Sequence, residues 1–262
     1  SQTPTSPEDN VETYRVGIIG LGRMGSTICD EIVGYEAFKL PYSIAGACAA
    51  SERLALACGA DLIPDKRQAF AQRWGCRALY EDFSQMIERE RPDMVAICTK
   101  GENHAELAVA VADLGVPMMY LEKAMACSMV EADAVKSAVE RNGTVFNTGV
   151  LRRFGDHYQA VRKLIVEGRI GQPRSVIQMS GGTLLHSNIH AVDFAMYMLG
   201  EPTATRVRGE LSPRDLQIAG NRLDHDPAAV YQVQFEDGAE AWQVPHGNYD
   251  VRIIGTEGVI EV

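Results

Sequence analysis

No apolar run in this chain reaches the roughly 20 residues needed to cross a bilayer, and no two cysteines stand in C-x-x-C spacing. The six cysteines, Cys29, Cys48, Cys58, Cys76, Cys98 and Cys127, are scattered, mostly in apolar surroundings. That argues against a disulfide framework and predicts buried free thiols in a reducing compartment, a cytoplasmic location. Basic residues are outnumbered, 25 Lys and Arg against 35 Asp and Glu, for a formal charge of −10. The deficit leaves no basic footprint for nucleic acid or for an anionic membrane surface. There is no internal repeat, and no signal peptide is visible in a chain that begins at Ser1 rather than Met. The one tract of biased composition is Ser1 to Glu12, polar with two prolines, which reads as a disordered arm. What the chain does have is 46% apolar residues over 262 positions, enough for a sizeable core in one large domain or two smaller ones.

The organising stretch is Val16-Gly17-Ile18-Ile19-Gly20-Leu21-Gly22-Arg23-Met24-Gly25. A short buried strand leads into G-x-G-x-x-G, and Ser26–Val33 continues as a helix. Gly20 permits the tight turn, Gly22 lets the backbone approach a pyrophosphate, and Gly25 lets helix and strand pack closely. The pyrophosphate would rest on the free N–H groups of the helix start. From there to Thr148, apolar strands alternate with helical segments: Leu54–Ala60, Ala78–Tyr80, Met94–Thr99, Val116–Leu121 and Thr144–Thr148 as strands, with helices at 65–74, 82–90, 104–114 and 129–141. Continuous apolarity in the strands fits a parallel sheet covered on both faces. After Arg153 the texture changes. His157–Glu167 and Ile189–Leu199 read as helices. Ser175–Ser180, Thr205–Leu211, Ala229–Phe235, Ala239–Pro245 and Val251–Gly255 read as strands, several of them alternating. The expected division is a disordered arm at 1–12, a dinucleotide-binding domain at 13–149, and a substrate-binding and oligomerisation domain at 150–262 that is built on a large open sheet.

Asp61 follows the second strand, where an acidic residue accepts hydrogen bonds from the adenosine ribose. Its charge disfavours a 2′-phosphate, so NAD is expected over NADP. Asp61 lies 36 positions beyond Gly25, more than the usual ~20, which implies an insertion within Val33–Glu52. Alternatively, Asp61 merely caps the next helix. Glu122 and Lys123 end another strand, at the edge where an open parallel sheet binds ligands. Lys123 can donate to a substrate hydroxyl and to the nicotinamide ribose, or it is a solvated loop lysine. On a helix, His186, His190 and Asp193 would share one face, and imidazole suits proton transfer near neutral pH. A helix cap with a satisfied histidine is one alternative. A zinc site joining the two histidines to Asp224, His225 and Asp226 is another, although no further ligand spacing supports a metal. His104 and His157 read as surface or capping residues.

Taken together, these residues resemble the glucose–fructose oxidoreductase/inositol dehydrogenase (Gfo/Idh/MocA) superfamily from Tyr14 to Val262. The marks are Gly20–Gly25; Asp61 with Lys66-Arg67 and Phe70-Ala71; Tyr80-Glu81-Asp82-Phe83; Thr99 with His104; Glu122-Lys123; Arg153-Phe154; Gly168-Arg169-Ile170-Gly171; His190-Ala191-Val192-Asp193; and Gly255-Thr256-Glu257-Gly258. The resemblance implies an α/β chain with an N-terminal Rossmann domain and a C-terminal α+β domain whose large open sheet is mostly antiparallel. It maps the family's Glu-Lys-Pro lysine onto Lys123 and its catalytic histidine onto His190, and it adds Arg23, Met24, Thr99, His104 and Glu122 to the cofactor site. Glu-Lys-Pro is Glu122-Lys123-Ala124 here, Thr-Pro is Thr99-Lys100, and the Asp that many members carry four residues before the histidine is His186. The chain is also short for the family, and Ile260-Glu261-Val262 reads as mid-strand.

The implied activity is hydride transfer between a sugar or cyclic polyol carbon and NAD. His190 would take the hydroxyl proton, Lys123 would hold the developing oxyanion, and His186 would orient or relay. Asp193 would steady the ring of His190. Arg152, Arg153, Tyr158, Asn188 and Asp193 are candidates for lining the substrate cleft. A redox-neutral NAD-dependent glycosidase or lyase and a non-catalytic nucleotide or sugar sensor are the alternatives. The open sheet, with Val, Tyr, Phe and Trp242 among its polar residues, predicts a homodimer or homotetramer.

Overall fold

The computed structural model describes residues 12–34, 40–219, 222–223 and 225–262. The expected arm at 1–11, part of the expected insertion, and Asp224 lie outside the described residues. The chain divides into two compact units, Ser1–Gly149 and Val150–Val262.

In the first unit, β1 (Tyr14–Ile19) leads into a π turn at Arg23–Thr27 and α1 (Ile28–Glu31). Then come α2 (Ile44–Ala50), β2 (Leu54–Ala60), α3 (Pro64–Trp74), β3 (Leu79–Tyr80) and α4 (Phe83–Glu90). The unit continues through β4 (Met94–Ile97), α5 (His104–Asp113), β5 (Met118–Leu121), α6 (Met129–Asn142) and β6 (Val145–Thr148). The strands form one parallel sheet in the order β3-β2-β1-β4-β5-β6. Its interior is closed on both faces. One apolar cluster joins Ile19, Val95, Ile97, Met119 and Leu121 to Ala108, Val111 and Val135 of α5 and α6. Another joins Val16, Ile18 and Ala96 to Ala45, Cys48 and Phe70 of α2 and α3.

Local chemistry sets the helix ends. Asp82 caps α4 by accepting from Ser84 N at 2.7 Å and Gln85 N at 3.3 Å. Ser128 caps α6 through Glu131 N, while the Glu131 carboxylate accepts from Cys127 N at 2.8 Å. α3 starts on Pro64 and stops at Gly75, whose φ is 71°.

One expectation changes here. The helix after the glycine turn is not a plain α-helix over Ser26–Val33. It begins as a π turn at Arg23 and ends at Glu31. The segment expected to be an insertion carries a helix of its own: Ser43 caps α2 through Gly46 N, and Ala45 and Cys48 are buried. That extra helix is why Asp61 stands so far along the chain.

The second unit contains α7 (Asp156–Val166), β7 (Pro173–Ser180), α8 (Asn188–Leu199), β8 (Ala204–Ser212), β9 (Ile218–Ala219) and β10 (Arg222–Leu223). It closes with β11 (Ala228–Phe235), β12 (Glu240–Val244), β13 (Asn248–Gly255) and β14 (Val259–Glu261). Six strands form a sheet in the order β14-β13-β7-β12-β11-β8, and β9 and β10 form a small ribbon. The large sheet is mixed: β7 and β12 run parallel, and its other neighbours run antiparallel. Val176, Val233, Phe235, Ala241 and Ile253 on one face pack with Phe194, Met198 and Ile165 of α8 and α7.

Strand alternation corrects the expectation that the Tyr and Phe of β11, Tyr231 and Phe235, are displayed on the open face. They point to the helix side, and Phe235 and Val233 are buried. The opposite face carries Trp242, Val230 and Val244 beside a polar net. Arg208 donates to Gln232, Gln234 Nε2 donates to Glu240 at 3.2 Å, and Trp242 Nε1 donates to Glu240 at 3.1 Å. These amide and indole bonds hold the Glu240 carboxyl below its usual range.

Candidate cofactor and reaction site

In the first unit the strand order reverses direction between β1 and β4, the place where an open parallel sheet forms a crevice at its carboxyl edge. The predicted cofactor residues stand along that edge. Gly20 has φ 92°, and a Cβ there would come within 2.8 Å of the Cys98 backbone. A Cβ on Gly25 would sit 2.3 Å from the Gly20 carbonyl oxygen. Only glycine closes this turn against β4. Trp74 Nε1 donates to Ser26 Oγ at 2.9 Å and ties α3 to the same turn.

Asp61 follows β2 directly. Its Oδ2 accepts from Leu21 N at 2.9 Å and its Oδ1 from Ile63 N at 3.0 Å. The carboxylate therefore joins the glycine turn to the start of α3, and each oxygen keeps lone-pair capacity for a further donor. Arg67 Nη1 donates to the Asp61 carbonyl, and Lys66 Nζ lies 4.0 Å from Asp61 Oδ2. Of the other turn residues, Arg23 is exposed and donates to Glu31 Oε2 at 2.6 Å, and Met24 packs against the β1 side of the core.

Glu122 follows β5 and is buried. Tyr120 OH donates to Glu122 Oε1 at 2.8 Å, and Lys123 N donates to Oε2 at 3.3 Å. Burial pushes the Glu122 carboxyl up, opposed by these two donors and by the charges of Lys123 and His104. A Cβ on Gly149 would come within 3.0 Å of Glu122 Oε2, so the chain passes this carboxylate at close range. Lys123 is partly buried, and the Lys123–Ala124 peptide is cis.

His104 corrects the sequence expectation. It is fully buried rather than a surface or capping residue, with Nδ1 2.7 Å from the Ala124 carbonyl and Nε2 3.1 Å from the Thr99 carbonyl. Both ring nitrogens are used on backbone, so His104 braces the loops after β4 and β5. The hydroxyls of Thr99 and Thr148, at the ends of β4 and β6, are buried with no hydrogen-bond partner among the described residues. Thr148 and Tyr120 were absent from the sequence-derived site. Position at a strand end was the only signal for Thr148, and Tyr120 gave none, because it reads as one more buried strand residue.

In the second unit, His190 lies in the first turn of α8, partly buried. His186 does not share that helix. It is exposed in the turn before Ser187, where the Asp226 carboxylate accepts from Leu185 N at 2.8 Å and His186 N at 2.9 Å. Capture of these two amides by Asp226 explains why the helix starts only at Asn188. Asp193 lies one turn beyond His190, but Arg153 engages its carboxylate from Nε at 3.0 Å and from Nη2. Arg153 also pairs with Glu201 at 3.0 Å and stacks over Tyr197. Arg153 and Asp193 thus hold each other.

Arg152 stacks over the Tyr249 ring at 4.9 Å, and Tyr158 meets Phe194 edge-on at 5.1 Å. Asn188 is 2% exposed, with its Nδ2 lacking a hydrogen-bond partner among the described residues. Among the described residues, no three His, Cys, Asp or Glu side chains cluster as a metal site, and no helix is long and apolar enough to cross a membrane.

Residues 14–150 match the Gfo/Idh/MocA profile, described as an oxidoreductase family with an NAD-binding Rossmann fold. The chain belongs to that family. It is an NAD-dependent oxidoreductase, and the carboxyl-edge residues of the first unit fit that cofactor: a turn with no room for a Cβ at Gly20 or Gly25 and an aspartate with spare acceptor capacity.

Among similar proteins, scyllo-inositol 2-dehydrogenase (NAD(+)) of Bacillus subtilis (strain 168) is 28% identical over 94% of this chain and 72% of its own length. Myo-inositol 2-dehydrogenase of Thermotoga maritima is 25% identical over 86% of this chain and 66% of its own. This chain therefore spans about two thirds to three quarters of those relatives. The fold is shared with the solved structure of GenD2 from gentamicin A biosynthesis in complex with NAD. The TM-score is 0.77 at 22% identity, covering 100% of this chain and 75% of that one.

Proposed function

We propose that this protein transfers hydride between a hydroxyl-bearing carbon of a sugar or cyclic polyol and NAD. The observation that carries the reading is the carboxyl edge of the parallel sheet, where Gly20–Gly25, Asp61, Thr99 and Glu122-Lys123 end neighbouring strands. The names of the inositol dehydrogenases among its relatives point to the same substrate class.

The cofactor, when bound, supplies the hydride acceptor. The chain's own residues do the rest. The glycine turn receives the pyrophosphate, with Arg23 and Met24 flanking it, and Asp61 accepts from the adenosine ribose. Thr99, His104 and Glu122 belong to the cofactor site, His104 through its brace on Thr99. Lys123 Nζ donates to the substrate oxygen and stabilises charge as it develops there. An imidazole nitrogen of His190 takes the hydroxyl proton. His186, which stands off the helix, orients or relays for His190. Arg152, Tyr158 and Asn188 are the remaining substrate contacts, while Arg153 and Asp193 act through the rigidity of their pair. The second unit, 150–262, is the substrate-binding and oligomerisation part, and its open face joins copies of this chain into a homodimer or homotetramer. Free thiols at all six cysteines fit a cytoplasmic setting.

Incubation with NAD and a panel of inositols and aldoses tests the reading. Formation of NADH with at least one of them is expected. Cleavage of a glycoside without net NADH, or binding without turnover across the panel, would remove it.

A further inference from the structure

Tyr120 carries a polar group into the apolar strand β5, and the hydride chemistry described above does not use it. Residues two apart on a strand share a face, and Tyr120 OH donates to Glu122 Oε1 at 2.8 Å. The other oxygen, Oε2, accepts from Lys123 N at 3.3 Å. The hydroxyl is therefore the shorter of the two donors on a side chain that is only 5% exposed. The chain at Gly149 is packed against this bond: a Cβ there would come within 2.9 Å of the Tyr120 hydroxyl and 3.0 Å of Glu122 Oε2. Lys123 beside the carboxyl and His104 of α5 bring charge that favours its ionised form. Cys98, just past β4, and Tyr120 itself are pushed well above their ordinary values, chiefly by burial, and keep their protons. Tyr42 is the other phenol near Tyr120. Burial works against charge on Glu122, so its ionised form depends on the donors it has.

We propose that Tyr120 is a positioning residue for the reaction: its hydroxyl keeps the Glu122 carboxylate charged, and that carboxylate fixes Lys123 through its backbone N–H and its charge. The inference rests on the role given to Lys123 above. A hydroxyl donating to a carboxylate makes a charge-assisted bond, roughly twice as strong as a neutral one. Without it, the buried acid turns neutral at a higher pH. A neutral acid is a weaker acceptor for Lys123 N and offers the ammonium no opposite charge. Packing alone asks only for an apolar body at this position, as the neighbouring Met119 and Leu121 show. Phenylalanine at position 120 would keep the ring and remove the donor.

Infrared spectra of the full chain, taken as differences against Glu122→Gln, follow the carbonyl band of the protonated Glu122 side chain without turnover. In Tyr120→Phe that band should persist to a pH about one to two units higher than in wild type, the size expected for losing a hydrogen bond to a charged group. Steady-state kcat with NAD and an inositol gives the second readout. Where Glu122 is protonated in the variant alone, Tyr120→Phe should lose about tenfold or more. The loss should shrink as the pH is raised, whereas a packing defect would cost the same at every pH. In the Glu122→Gln background the same change should have little further effect. An unmoved band, or a loss independent of pH, overturns the proposal. Absence of NADH across the inositol and aldose panel, with the band moved as expected, would instead remove the hydride reading and leave Tyr120 governing the charge of Glu122 alone.

Discussion

Arg153 and Asp193 hold each other across the second unit, with Nε and Nη2 of the guanidinium on the carboxylate and Nη1 on Glu201. The Asp193 side chain keeps only 12% of its surface exposed. Arg153→Met strands the Asp193 carboxylate, and Asp193→Asn takes from the guanidinium the more buried of its two acids, so each should lower unfolding free energy by roughly 1–3 kcal/mol. The double variant should cost clearly less than the two singles added together, as chemical denaturation would measure. Strict additivity would mean that the pair is not coupled.

His190→Ala should cut turnover by about 10²–10⁴-fold, the usual range for losing a proton-transfer group, and Lys123→Ala by about 10²–10³-fold, the usual range for losing a donor to a developing oxyanion. NAD affinity should move much less in both. His186→Ala should lose under about tenfold, given its place outside the helix. Steady-state rates beside fluorescence titration of NADH make the comparison. Turnover of Lys123→Ala within about twofold of wild type would return that lysine to a structural role.

Glu122 should leave a mark on the pH dependence of stability. Burial raises its folded-state pKa, so the folded protein holds this proton to a higher pH than the unfolded chain does. Wild-type stability therefore falls as pH rises through that interval and stays lowered above it. Glu122→Gln keeps an acceptor for Tyr120 but cannot ionise. Its thermal midpoint should exceed that of wild type most at neutral pH and above, and the gap should close near pH 4, about where an unfolded-chain glutamate titrates. Melting curves offset equally at every pH would contradict this.

The outer face of the second sheet should bring copies of the chain together. Trp242 and Val230 lie there among the Arg208, Gln232 and Glu240 side chains, a mixture of apolar and polar groups typical of a buried interface. Light scattering at micromolar concentration should report a dimer or tetramer, and a monodisperse monomer would count against it.

The parallel sheet was legible because its strands are unbroken apolar runs punctuated by Gly115, Asn142-Gly143 and the glycine turn itself. The sequence alone places Asp61 and Lys123 at the carboxyl edge of the sheet, since topology fixes where strands end. Other features depended on partners far along the chain. That Leu185 and His186 are held out of the helix is decided by Asp226, about forty residues on. The burial of His104 depends on the Ala124 and Thr99 carbonyls. Helix α2 was hidden because alanine and small residues without a polar face give no periodic signal. The inward turn of Tyr231 and Phe235 follows from strand phase, which composition leaves open.

The order β3-β2-β1-β4-β5-β6 also bears on how the molecule is made. The strand synthesised first lies at the centre of its sheet. On a ribosome, β1 can pair with β2 once Ala60 has emerged, but its other edge stays open until Ile97 has followed. Through that interval the buried row from Val16 to Ile19 has one side unpaired, the condition under which a nascent strand finds the wrong neighbour. Nascent chains cut off before β4 should accordingly depend on chaperones far more than chains extending through Thr148.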